Sequence, residues 1–213
     1  MEIQCSALLF DLDGVLVDSR AVVERVCRLW AARLGVTTEA LLRVAHGRRT
    51  RDTARIVAPH LDAEAEAAWI DNQELLDTEG LVEVPGARRF VSSLPDGKWA
   101  VVTSCGTDLA RLRLSSVGLP IPAVLITSSD VTAGKPAPDG YRLGAQRLGV
   151  DPASCVVFED APPGIAAGLA AGARVVALRT THPDADFSEA TAVIPDYQAL
   201  RVRQDGSRLV VLD

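Results

Sequence analysis

Aromatic side chains are scarce in this chain: Phe, Trp and Tyr make up 4% of its 213 residues. Two of the three tryptophans, Trp30 and Trp69, fall in stretches with helical apolar spacing, where core packing accounts for them. Long apolar runs are missing too. None approaches the roughly 18 residues that span a bilayer, so no membrane partner is expected. The cysteines, Cys5, Cys27, Cys105 and Cys155, have no CxxC spacing, which points to neither a zinc site nor a disulfide framework. The first residues lack the basic region and cleavage pattern of a signal peptide, so free thiols in a reducing cytoplasm are the expectation. Positive charge is not in excess: the net charge of −6 argues against a nucleic-acid partner, because phosphate-backbone affinity comes from clustered Lys and Arg. A small phosphorylated ligand needs only a local positive patch, and remains open. No internal repeat or low-complexity segment is present.

What is there is a chain of ordinary apolar content, long enough for one core and a smaller satellite. Short β-branched runs recur at Ala7–Phe10, Trp99–Val102, Ala123–Ile126, Cys155–Phe158 and Arg174–Leu178. Helical stretches fall between them at Gly86–Leu94, Thr107–Val117, Gly140–Leu148 and Gly164–Ala171. This alternation predicts an α/β fold with a doubly wound, Rossmann-like parallel sheet. Residues 20–80 break the pattern with helical spacing only, at Val22–Leu34, Thr38–Ala45, Arg51–Val57 and Asp62–Leu76. An insert of about 60 residues is too long for a simple crossover. A small all-helical cap over residues 19–83 is expected, inserted after the first strand into a core of residues 1–18 and 84–213. The arms around Asp205-Gly206 predict a C-terminal hairpin.

The first strand runs into Asp11-Leu12-Asp13-Gly14, and buried carboxylates are costly unless paired or bound to a metal. In an open α/β sheet, ligands bind at the carboxyl ends of the strands. Those ends also deliver Thr103-Ser104-Cys105-Gly106, Gly134-Lys135-Pro136 and Glu159-Asp160-Ala161-Pro162. Carboxylates, hydroxyls and a lysine thus collect at one edge, and phosphoryl transfer is chemistry that needs all of them. A phosphate dianion repels an attacking carboxylate, so a divalent cation must offset the charge. Asp11 and Asp160 are hard oxygen ligands suited to Mg²⁺, with the main-chain carbonyl of Asp13 as a third. Lys135 adds positive charge, and Thr103 can hold phosphoryl oxygens. Asp11 is then the nucleophile, forming an aspartyl-phosphate. Asp13 is the general acid/base: it protonates the leaving alkoxide and later deprotonates water.

These motifs resemble the haloacid dehalogenase superfamily, in the branch of β-phosphoglucomutase-like enzymes and bacterial sugar phosphatases. The resemblance rests on "DLDGVLVDS", "VVTSCGT", "GKPAPDGY" and "VVFEDAPPGIAAGLAAGA" in that order, and covers nearly the whole chain. It implies Asp11 as nucleophile, Asp13 as acid/base, Thr103 and Lys135 on phosphate, and Asp160 on Mg²⁺. It also implies that Glu159 supports the metal site. One position departs: the mutases carry a His ten residues after the acid/base, where this chain has Val23.

Blander readings stand beside these. Thr103 and Ser104 can cap the following helix as well as bind phosphate. Cys105 has no His partner readable nearby and is not expected to be a nucleophile. The cluster His46-Gly47-Arg48-Arg49 with Arg51 can meet sugar hydroxyls or a second phosphate, or be a solvated helix start. His46, Arg48 and Arg51 are carried as substrate-binding candidates. The expected protein is a monomeric, Mg²⁺-dependent phosphatase of small sugar or polyol phosphates. A phosphosugar mutase is the first alternative, and a non-catalytic phosphometabolite-binding module the second.

Overall fold

A computed structural model of the chain describes residues 1–45 and 47–213. Its centre is a six-stranded sheet of β2 (Ala7–Phe10), β5 (Trp99–Val102), β6 (Val124–Ile126), β7 (Cys155–Glu159), β8 (Arg174–Leu178) and β9 (Ala192–Ile194). The order is β6-β5-β2-β7-β8-β9 and every neighbour is parallel. β2 is buried on both faces: Leu8 and Phe10 enter one apolar cluster, Ala7 and Leu9 the other. That is why it is written as an unbroken apolar run rather than an alternating one.

Helices cover both faces. α5 (Ala87–Ser92) and α6 (Thr107–Ser116) bury Phe90, Leu109 and Leu114 on one side. α7 (Asp139–Arg147) and α8 (Pro162–Ala170) bury Tyr141, Ala145 and Ile165 on the other. The few aromatics are concentrated under the strand ends. Phe10 and Phe158 stack with ring centres 4.9 Å apart, and Phe90 and Tyr197 close around them. A three-stranded antiparallel sheet flanks this cluster: β1 (Glu2–Cys5), β10 (Arg201–Asp205) and β11 (Arg208–Leu212), the last two forming the Asp205-Gly206 hairpin.

Between β2 and β5 the chain builds α1 (Arg20–Leu34), α2 (Thr38–Ala45), α3 (Thr50–Val57) and α4 (Ala63–Leu75). These share an apolar cluster of their own, with Val22, Val26, Trp30, Leu41, Ala54 and Ile70. Trp30 is buried there, and its indole N–H donates to Glu66 at 2.7 Å. Chain exit and return are clasped by a two-stranded ladder of β3 (Val17–Asp18) and β4 (Val82–Glu83). Among the described residues no helix is long and apolar enough to cross a membrane.

Four strands have no counterpart in the sequence expectation. β9 is only three residues long, and β1 and the β3–β4 clasp are too short for periodicity to show.

Candidate active site

The sheet order reverses at β2. From it the chain moves outward to β5 and β6, then returns to the opposite side as β7. Crossovers leave that point on opposite faces and open a crevice at the carboxyl ends of β2 and β7. Phe10 pairs with Phe158 in register, and the Asp11 N–H donates to the Phe158 carbonyl at 3.0 Å. Asp11 therefore lies beside Glu159 and Asp160. The three carboxylates are buried and offer oxygens that all lie within 4.8 Å of one another.

Lys135 sits among them. Its Nζ is 2.6 Å from Asp11 Oδ1 and 2.6 Å from Glu159 Oε1. The Tyr141 hydroxyl also donates to Glu159 Oε1, at 2.6 Å. Glu159 Oε2 accepts the main-chain N–H groups of Asp160 and Ala161. Glu159 is thus occupied on both oxygens and holds the lysine in place. Two glycines allow the crowding. A Cβ at Gly164 would stand 1.8 Å from Glu159 Oε1, and one at Gly14, whose φ is +75°, would stand 2.0 Å from Asp160 Oδ2.

Three buried carboxylates share one ammonium, so the cluster carries surplus negative charge. Burial pushes the Asp11 carboxyl up to about 7 against the pull of Lys135, with Glu159 and Asp13 adding to the rise. Asp160 is raised well above the usual carboxylate range by burial and by Glu159 and Asp11. The same carboxylates keep Lys135 protonated despite its burial. Such a site matches a hard divalent cation: oxygen donors alone, close together, with charge left to neutralise.

Asp13 is placed differently. Its side chain keeps 29% exposure and borders a cavity of about 120 Å³. Ser19 donates to its Oδ1 at 2.7 Å and Arg113 to its Oδ2 at 2.6 Å. Arg113 comes from α6 and is buried. Its other terminal nitrogen donates to Glu74 of α4 at 2.8 Å. Burial pushes the Glu74 carboxyl up to about 7; Arg113 opposes this, and Asp13 and Asp71 add to it. One guanidinium cannot neutralise two carboxylates, and the pair keeps a surplus charge.

Asp11, Asp13, Thr103, Ser104, Arg48 and Asp160 all line this cavity. Thr103 is buried, and its hydroxyl accepts the Cys105 N–H at 3.2 Å. The helix-capping reading fails: the residue before α6 is Gly106, with no side-chain cap. Ser104 instead donates to the Gly47 carbonyl at 3.2 Å, across the seam between the helical insert and the sheet body. Cys105 is buried and its thiol is pushed up to about 12 by burial, which removes the thiolate a nucleophile requires. The Arg48 guanidinium has no hydrogen-bond or ion-pair partner among the described residues and is half-buried. Arg51 is turned to the seam, where it donates to the Ser128 carbonyl at 2.9 Å and pairs with Glu64, outside the cavity. Arg49 crosses the same seam to the Val131 and Thr132 carbonyls. His46 lies outside the described residues. Val23 lines the cavity as an apolar side chain.

Sequence reasoning passed over Arg113 and Glu74, although a signal existed. Arg113 follows Leu109 and Ala110 at i+4 and i+3, and Glu74 follows Ala67 and Ile70 at i+7 and i+4. Each is a charge on the buried face of its helix, a placement that proteins avoid unless the charge is paired.

Known proteins share this sequence pattern and this fold. Residues 5–172 match the family model for haloacid dehalogenase-like hydrolases. The chain is 39% identical to hexitol phosphatase A of Escherichia coli K12, over 98% of this chain and 99% of that protein. It is 33% identical to glycerol-1-phosphate phosphohydrolase 2 of Saccharomyces cerevisiae, over 95% and 86%. CbbY of Rhodobacter sphaeroides, solved in complex with phosphate, shares the fold at a TM-score of 0.77 and 23% identity, over 91% and 95% of the two chains. With its carboxylates and lysine gathered at the sheet's switch point, the chain belongs to the haloacid dehalogenase-like hydrolase family.

Proposed function

We propose that this phosphoric monoester hydrolase acts on small sugar or polyol monophosphates through an aspartyl-phosphate on Asp11, with Asp13 as general acid/base. The observation that carries the reading is the pairing of Asp11 with Lys135 at 2.6 Å beside Asp160, with Asp13 two residues on and open to the same cavity. The relatives named for hexitol and glycerol-1-phosphate hydrolysis support the substrate class.

Asp11 and Asp160 would hold Mg²⁺ together with the main-chain carbonyl of Asp13, while Glu159 anchors Lys135 beside them. When bound, the cation neutralises charge on the phosphoryl group and on the carboxylates. Lys135 occupies Asp11 Oδ1, which leaves Oδ2 for attack on phosphorus. Thr103, Ser104 and Arg48 line the space where the phosphoryl oxygens must sit. Asp13 holds the transferred proton. Ser19 donates to Asp13 Oδ1 in the ionised state, and the same hydroxyl can rotate to accept once Oδ1 is protonated. Helices α1–α4 act as a cap, residues 19–83 over a core of 1–18 and 84–213. Its closure excludes water from the site, and the seam bonds of Arg49, Arg51 and Ser104 favour the closed form.

The test is release of inorganic phosphate from hexitol, hexose and glycerol phosphates with Mg²⁺. Wild type should release it, and EDTA or Asp11→Asn should abolish release. Interconversion of phosphosugar isomers without release would favour the mutase, against which the apolar Val23 weighs. Silence in both assays would return the chain to a binding role.

A further inference from the structure

Glu74 is a charged residue with no part in the chemistry above, yet it lines the catalytic cavity and is buried. Its position is fixed. Arg113 donates to Glu74 Oε2 at 2.8 Å and to Asp13 Oδ2 at 2.6 Å, so the two carboxylates stand one guanidinium apart. Asp13 must reach the ester oxygen to protonate it. In that pose the carboxylate of Glu74, one guanidinium away in the same lining, falls on the side of the leaving alcohol.

The rest of that wall offers an anion no free cation, and its one unpaired buried hydroxyl among the described residues is that of Thr53. Val23, Cys27, Trp30 and Ile70 line it, and the Trp30 N–H is taken by Glu66. Arg113 is shared between two carboxylates, and Arg20 is paired with Asp18. Arg48 follows Gly47, whose carbonyl meets Ser104 and whose Cβ, if present, would lie 2.8 Å from that of Ala161. The backbone that carries Arg48 is therefore anchored beside Ala161, next to Asp160. Cationic groups thus stand beside Asp11 and Asp160, while the wall around Glu74 is anionic, hydroxylic or apolar.

We propose that Glu74 determines specificity, accepting a hydroxyl hydrogen bond from the alcohol part of the substrate and repelling substrates that carry a carboxylate or second phosphate there. The inference rests on the phosphatase reading and deepens it: the favoured substrates are monophosphates of neutral polyhydric alcohols. Rejection works by placing a like charge against the wrong ligand.

The test compares glycerol 1-phosphate with 3-phosphoglycerate, which differ in having CH₂OH or a carboxylate at one carbon. Rates are measured with Mg²⁺ at pH 8 for wild type, Glu74→Gln and Glu74→Asp, alongside para-nitrophenyl phosphate. Wild type should prefer the neutral ester in kcat/KM by tenfold or more, as expected for two like charges in a partly buried site. Glu74→Gln should narrow that ratio by roughly tenfold, and Glu74→Asp should retain most of it. Equal loss on both esters with an unchanged ratio would reduce Glu74 to a structural partner of Arg113 and overturn the proposal. A wild type that hydrolyses both esters alike would overturn it without any variant. No hydrolysis of any ester, the aryl phosphate included, would instead overturn the phosphatase reading.

Discussion

Arg113 donates to Asp13 at 2.6 Å from a position where its own side chain is 4% exposed. The same guanidinium reaches Glu74 on α4, so the proposed acid/base is tied to the helical insert through one buried cation. The buried charge that bonds Asp13 is the one that bonds α4.

Removing that cation should be severe. Arg113→Ala leaves two carboxylates without their cation, which costs about 3–5 kcal/mol of stability in comparable buried pairs. Arg113→Lys keeps the charge but loses the fork that reaches both oxygens. Its kcat on a hexitol phosphate should fall roughly tenfold or more, with a smaller change in KM. Urea unfolding and steady-state kinetics measure the two effects. Full activity in Arg113→Lys would remove Arg113 from the positioning of Asp13.

Glu74 should make stability depend on pH in a defined direction. Burial raises its folded-state value to about 7 from an ordinary 4.5, so the folded chain holds this proton more tightly than the unfolded one. The stabilisation is fully present below about 4.5 and is lost as pH rises through about 7. Glu74→Gln cannot titrate. The stability of wild type relative to Glu74→Gln should therefore fall by a few kcal/mol between pH 4.5 and 8. Urea titrations of both proteins in EDTA at several pH values give the difference directly, and a flat difference contradicts the placement of Glu74.

Without metal, the carboxylate cluster should be a burden on the fold. Asp11 is raised to about 7, so at pH 8 its ionised form is held against its preference. In EDTA at pH 8, Asp11→Asn should unfold at a temperature no lower than wild type. Mg²⁺ at about 100 times its Kd should stabilise wild type by about 2.7 kcal/mol and Asp160→Asn far less. Scanning fluorimetry with and without Mg²⁺ decides this, and equal responses from the two proteins would place the cation elsewhere.

Gly164 should tolerate no side chain. A Cβ there would lie 1.8 Å from Glu159 Oε1, which is buried and bonded to Lys135 and Tyr141. Gly164→Ala should displace Glu159, loosen Lys135 and cost about 1–3 kcal/mol of stability. Phosphatase activity should drop far more than for Gly172→Ala, where a Cβ has open space and only the φ of +90° is unfavourable. Comparable activities in the two variants would show that the Glu159 anchor is dispensable.

Local pattern alone determined most of the architecture and which residues gather at one edge of the sheet. Unbroken apolar strands such as Ala7–Phe10 announce burial on both faces, and polar residues directly after them mark one sheet edge as reactive. Asp11, Asp13, Thr103, Lys135 and Asp160 were legible because each follows a strand, and strand ends converge whatever the details of packing. Tertiary structure decided the rest. Which way Arg49 and Arg51 turn depends on how the start of α3 meets the loops at Ser128 and Thr132, contacts made across 77 residues or more of chain. That Glu159 also anchors Lys135 and accepts from Tyr141 depends on the packing of α7, which no spacing connects to β7. Arg113 and Glu74 show the limit most clearly. Each is visible in sequence as a misplaced charge on an apolar helix face, but a charge reveals its partner, 39 residues away, only when the two helices are packed against one another and the low-dielectric seam forces the charges to pair.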